Sequence, residues 1–296
     1  MSKVVNDSYP NPNRQLTDDE IKAKFLAEAN KFNTAPTTNT NTPKLDIPTE
    51  IIDLPSRGYF YPEGHPLSSG KIEMKYMTAK EEDILASQTL IKQGVVIDKL
   101  IQSLIVTPFD YNELLTVDKN AIFIAARVLA YGADYEVDIT CPACGEKSTK
   151  HIDLQSFENK EINWSAFTKG SSTFNFTLPA GGKNKLTLKL LTHGDERGIE
   201  EELKSLKKFT KITGVDPELT TRLKHIIVAV DDNTDKTYIS RFVDSMLSVN
   251  SLPLRRFLKE VTPDIDTTFE YTCPHCGHEQ EKMALPINVG FFWPSL

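Results

Sequence analysis

All four cysteines of this chain fall in two copies of one short motif, Cys141-Pro-Ala-Cys144-Gly and Cys273-Pro-His-Cys276-Gly. Each copy follows a strand-like run, residues 135–140 and 267–272, and precedes a polar turn, so each reads as a knuckle at a hairpin tip. A C-x-x-C turn brings two thiolates to one point. The glycine after it, Gly145 or Gly277, can take the left-handed conformation that turns backbone N–H groups toward the sulfurs. Two such knuckles complete a tetrahedral four-thiolate shell, which predicts a structural zinc held by Cys141, Cys144, Cys273 and Cys276. Disulfides are the alternative, but the paired spacing suits a metal and nothing in the chain suggests secretion. His275 and His278, in or beside the second knuckle, are alternative ligands.

The two knuckles are separated by far more chain than the roughly 15–20 residues of a short zinc ribbon. An internal duplication accounts for this. Residues 115–145 align over 247–277 without a gap, with both knuckles in register, and residues 71–82 align over 185–196. Between the two blocks the second copy carries an insertion, placed in the charged stretch 200–211.

Each copy has the same predicted order. A strand pair turns at residues 68–70 in the first and at Gly181-Gly182 in the second. Thr78 and Thr192 then stand as helix N-caps, with Glu81 and Asp195 three residues on. Helical runs follow at 95–106 and 119–130 in the first copy, and at 220–230, 237–247 and 253–261 in the second. Ile97, Leu100, Ile101, Leu104 and Ile105 recur at helical spacing and mark one buried face. The expected fold class is α+β: two pseudo-symmetric repeats, 49–160 and 161–296, joined by a shared four-cysteine zinc site, behind a tail over 1–48.

That tail is rich in Asn, Thr and Pro over 1–15 and 33–48, a composition that buries little, so it is expected to be flexible. Between these stretches residues 16–32 predict a short helix with a capping box of Thr17 and Glu20 and a stripe of Ile21, Phe25, Ala29 and Phe32. It either docks on a partner or lies on its own domain. At the other end Phe291, Phe292 and Trp293 stand together. They must be covered, either by folding back onto the core or by binding a neighbouring subunit, and they are the candidate partner-binding residues.

With 34 Lys and Arg against 41 Asp and Glu, the net charge of −7 disfavours a general affinity for nucleic acid. The basic stretch 204–211 is interleaved with acids and reads as a solvated face. No run approaches the ~20 apolar residues of a membrane span, since residues 121–130 are too few and include Arg127. The first residues lack the apolar core of a signal peptide, so a reducing cytosol is the expected setting. Catalytic signatures are thin: there is no Gly-rich phosphate loop or nucleophile elbow, the six histidines show no catalytic spacing, and four thiolates would close a zinc shell. The expectation is a protein that is not an enzyme and has no small-molecule substrate.

Residues 54–64 (LPSRGYFYPEG), 70–85 (GKIEMKYMTAKEEDIL) and 94–100 (GVVIDKL) resemble the baseplate hub proteins of T-even-type contractile-tailed phages, which also carry CPxCG knuckles. The resemblance covers about residues 50 to 296. It implies a non-catalytic protein needed to build the tail baseplate hub, either kept in the virion tail or acting in the host cytoplasm during assembly, with other hub proteins as partners. Only the four cysteines and the 54–64 loop carry a role over. By its residues alone, Arg57-Gly58 in its proline-flanked loop is first of all a turn. The rival reading is a zinc-ribbon nucleic-acid-binding or regulatory module, which would need a continuous basic groove lined with aromatics.

Overall fold

Alternation of side chains sets the first sheet. In Lys71-Ile-Glu-Met-Lys75, Ile72 and Met74 are buried and the lysines stand outside, giving β2 (Lys71–Lys75). It pairs antiparallel with β1 (Thr49–Asp53), Ile52 opposite Ile72. The computed structural model describes residues 46–181 and 183–293, with the side chains of 208–213 left out, so the expected helix at 16–32 lies outside the described residues. From Ile47 onward the chain forms one unit.

Helices α1 (Ala79–Ala86), α2 (Gln88–Gln93), α3 (Val96–Leu104) and α4 (Thr116–Tyr131) follow. Of the face expected on α3, Leu100, Ile101 and Leu104 are buried, and Ile97 and Ile105 pack against them half-buried. The hairpin β3 (Asp134–Thr140) and β4 (Lys147–Asp153) then carries the first knuckle.

A second strand pair opens the later half. β5 (Thr173–Thr177) pairs with β6 (Lys185–Lys189), Phe174 opposite Leu188 and Phe176 opposite Leu186. Then come α5 (His193–Thr213), α6 (Glu218–Ile226), β7 (Ile227–Val230), α7 (Lys236–Asp244), α8 (Ser248–Val261) and the hairpin β8 (Thr268–Thr272) and β9 (Glu279–Ala284).

Three expectations are corrected. The helix expected over 220–230 stops at Ile226, because Ile227-Val-Ala-Val230 is a largely β-branched run that adds a third strand antiparallel to β6. Helix α8 starts at Ser248 rather than Pro253. The bond that Pro253 cannot make would have reached the carbonyl of Val249, in the first turn and on an exposed residue, where water can take its place. Residues 68–70 are not a tight hairpin turn: Gly70, at φ 75°, ends the 3-10 helix Pro66–Ser69, and β1 joins β2 through the whole of residues 54–70.

That connection is part of the core. Leu54, Phe60 and Tyr61 are buried, and Phe60 packs on Phe167 and Trp164 of the later half, with centroids 4.8 and 5.8 Å away. Gly58 has φ 71°, and a Cβ there would lie 2.4 Å from the carbonyl oxygen of Ser68, so only glycine lets the two strands of the loop cross. Beneath the loop lies Asp118 of α4, fully buried. It accepts from the Ser56 N–H and the Tyr61 hydroxyl, both at 2.9 Å, and the Tyr61 oxygen in turn accepts from the Leu115 N–H at 3.1 Å. Burial pushes the Asp118 carboxyl up to about 6 although both hydrogen bonds act to lower it.

Candidate metal centre

Each hairpin tip is closed by the same pair of backbone bonds. Cys141 N–H donates to Glu146 O at 2.9 Å and Gly145 N–H to Cys141 O at 2.9 Å. In the second tip Cys273 N–H donates to His278 O at 2.8 Å and Gly277 N–H to Cys273 O at 3.0 Å. Both glycines sit at positive φ, 77° and 71°, which a Cβ would strain. The Glu146 N–H then reaches the Cys144 sulfur, and the His278 N–H reaches that of Cys276.

The tips meet. Cys141 Sγ lies 3.7 Å from Cys276 Sγ and Cys144 Sγ 3.8 Å from Cys273 Sγ, and all four sulfurs lie within 4.8 Å of one another. A tetrahedron of thiolates about 2.3 Å from a central ion has edges of about 3.8 Å. The sulfurs are thus spaced for a four-coordinate ion and far from the ~2.05 Å of a disulfide; all four cysteines are free. Cys141 and Cys273 are buried, Cys144 and Cys276 exposed, so one side of the cluster faces solvent. His275 and His278 do not belong to the cluster.

Four thiols this close cannot all ionise unaided. Burial works against a Cys273 thiolate, but N–H groups of Cys276 and His275 outweigh it and bring the group down to about 6. Cys144 accepts from the Glu146 N–H, yet partial desolvation of its sulfur among the other thiols and its sharing with Cys276, Cys141 and Cys273 push it up to about 12. A dication supplies the charge such a set lacks. The hairpins also touch beside the cysteines: the Ser148 and Tyr271 hydroxyls are 2.9 Å apart, and Lys150 Nζ donates to Glu270 O while lying 5.9 Å from the centroid of Phe269.

With this geometry in hand, the chain can be set beside known proteins. The family model described as T4 bacteriophage base plate protein matches residues 63–293, which include both knuckles. The chain belongs to this baseplate family. The matched span begins after most of the 54–64 loop. No curated protein and no solved structure matches the chain.

Membership in the baseplate family agrees with a virion-tail component that works through contacts with other phage proteins. Among the described residues no helix is long and apolar enough to cross a membrane. A cleft of about 710 Å³ is lined by Thr116, Val117 and Lys160 together with residues of the later half, and three of its cations are engaged locally. Lys189 pairs with Asp195 at 2.7 Å, Arg222 with Glu196 at 2.9 Å, and Lys160 Nζ donates to the carbonyls of Lys259, Glu260 and Thr262 at the end of α8. In the charged stretch at 200–211, Lys204 pairs with Glu200 at 3.3 Å on α5.

Of the two ways of covering the aromatic terminus, folding back onto the core is the one seen for Phe291 and Phe292. Phe291 and Phe292 are fully buried in their own chain: Phe291 lies 5.0 Å from Tyr135 and Phe292 5.9 Å from Phe123, centroid to centroid. Apolar rings this near a hairpin and a helix face gain more by leaving water at once than by waiting for a partner. Of the three candidate contact residues only Trp293 keeps an exposed face, at 39%. Sequence reasoning missed Asp118 and Tyr61, whose pairing across the fold leaves no periodic trace.

Proposed function

We propose that this protein is a structural or assembly component of the phage baseplate hub, built as two copies of one α+β unit clamped by a single structural zinc. The observation that carries the reading is the family match spanning both knuckles, together with four sulfurs at zinc-shell spacing. The zinc would be held by Cys141, Cys144, Cys273 and Cys276 and closed to substrate, so its role would be to tie distant parts of the chain together. Phage-borne hub proteins are the proposed partners, Trp293 is one proposed contact, and the work would be done in the virion tail or in the host cytoplasm during assembly.

Details of the two halves, taken as 49–160 and 161–296, support the duplication. Strands β2 and β6 share one burial pattern, Thr78 and Thr192 each open a helix, and the knuckle bonds match one for one. The extra length of the second copy would fall in two places: α5 has 21 residues where α1 has 8, and α7 stands where the first half has only the 3-10 turn Tyr111–Glu113.

The test is a phage in which the gene is deleted and then restored in trans. Loss of complete baseplates, recovered by the wild-type chain, is the expected result, with the chain co-purifying with hub proteins. Complete and infectious tails in its absence would reject the function.

A further inference from the structure

We infer that this protein associates head to tail with a second copy of itself, the start of α8 on one copy seating the start of α1 on the next. The inference rests on the duplication proposed above. It begins from a contact made inside the chain. Leu115, ahead of α4, forms an antiparallel bridge with Thr192, ahead of α5. The Thr116 N–H donates to Leu191 O at 2.9 Å and the His193 N–H to Leu114 O at 2.7 Å. Around these bonds Leu115, Val117, Leu191 and His193 are all buried.

The second copy of that surface is bare. The gapless alignment of 115–145 over 247–277 puts Leu247 and Val249 where Leu115 and Val117 stand, and these are 60% and 57% exposed, with Leu252 beside them at 43%. Apolar side chains grouped like this on a helix start mark an interaction surface. The complementary element exists in a second copy too: Met77, Thr78 and Ala79 correspond to Leu191, Thr192 and His193, with Met77 and Thr78 half-buried and Ala79 exposed. Among the described residues the Ser248 and Ala79 N–H groups have no backbone acceptor, and the Met77 and Met246 carbonyls have no backbone donor. These are the counterparts of the four groups that bond in the internal contact.

Each chain therefore presents two faces that differ from each other, the start of α8 and the start of α1, and a contact of this kind leaves a fresh face on every copy added. Such heterologous contacts close into rings or run on as filaments.

The test uses the zinc-loaded full chain and two variants at exposed positions, Val249→Glu and Ala79→Glu. Sedimentation should find the wild type forming oligomers as concentration rises, and each variant alone weakened by about tenfold or more with unchanged melting temperature and zinc content. Mixing the two variants should give dimers and nothing larger, since each retains the face the other has lost. A photo-crosslinker at Val249 in a mixture of light and heavy-isotope chains should join it to residues 76–80 of another copy. A wild type that stays monomeric throughout, a mixture that forms no dimer, or crosslinks to another surface would each overturn the inference. Superposition of 71–145 on 185–277 in an experimental structure tests the duplication separately, so a monomer whose halves superpose would remove the association alone.

Discussion

Lys75 Nζ sits 2.7 Å from Glu81 Oε1, bridging the end of β2 to the first turn of α1. The other carboxylate oxygen accepts from the Thr78 N–H at 3.1 Å. The same device recurs after β6, where Lys189 meets Asp195 at 2.7 Å and the Thr192 N–H donates to the same carboxylate at 3.1 Å. Each fixes the angle at which a helix leaves its strand. Burial by itself raises the Glu81 pKa, but hydrogen bonds from Lys75 and Thr78 outweigh it and hold the group below the ordinary carboxylate range; Asp195 behaves alike with Lys189 and Thr192.

A lowered folded-state pKa contributes stability above the unfolded value and loses it as pH falls through the folded one. Glu81→Gln should therefore cost about 2 kcal/mol at neutral pH, less than a wholly buried pair because Lys75 stays 22% exposed. Urea unfolding should show the gap to wild type closing below pH ~4. Asp195→Asn should cost less, since its carboxylate is 19% exposed.

Asp118 works with the opposite sign. Its folded pKa, raised to about 6, means that its share of stability is full below the unfolded value near 4 and is lost as pH rises through 6. Wild type should gain up to about 3 kcal/mol from this group between neutral pH and pH ~4. Asp118→Asn can still accept from Ser56 and should flatten the profile across that window. Melting curves at half-unit pH steps would reveal it, and equal slopes for the two proteins would refute it.

The elements legible in the sequence were those with local signals. Paired cysteines followed by glycine mark the hairpin tips, Thr78 with Glu81 and Thr192 with Asp195 mark the helix starts, and alternation marks β2 and β6. The misread parts depend on distant partners. Ile227–Val230 becomes a strand because β6 has an open edge, and residues 54–70 become core because Phe167 and Trp164 come from far along the chain. The sequence left the cover for Phe291 and Phe292 open between core and partner for the same reason: the pocket that takes them is built by α4 and β3.

Two glycines with nearly equal backbone conformations separate strain from collision. Gly58 and Gly94 have φ of 71° and 73°, but a Cβ at Gly58 meets backbone atoms at 2.4 and 2.5 Å whereas one at Gly94 meets nothing within 4 Å. Gly94→Ala should cost about 1 kcal/mol, the left-handed penalty alone. Gly58→Ala must also part the loop from Gly70 and should cost several-fold more, enough to lower soluble yield.

The terminus should divide in the same way. Phe292→Ala removes a fully buried ring and should cost about 3–5 kcal/mol. Trp293→Ala should leave the melting temperature within a degree or two, yet reduce incorporation into baseplates if the exposed face is a contact. Thermal melting and tail assembly measured on both variants distinguish the roles.

Metal removal offers the sharpest separation of the clamp from the core. Zinc analysis should give about one ion per chain, and binding should weaken in acid because the four thiols must lose protons to bind. The sulfurs join only the tips of β3–β4 and β8–β9, while Leu100, Ile122, Leu186 and Leu188 lie in a core that needs no ion. A strong chelator should therefore lower the melting temperature and speed amide exchange in the two hairpins first, leaving the helices α3 and α4 protected. Cys273→Ser should reproduce this without chelator, and Cys141→Ser should match it, since the two buried sulfurs hold equivalent places. Two ions per chain, or a chain indifferent to the chelator while its four thiols remain reduced, would reject the site.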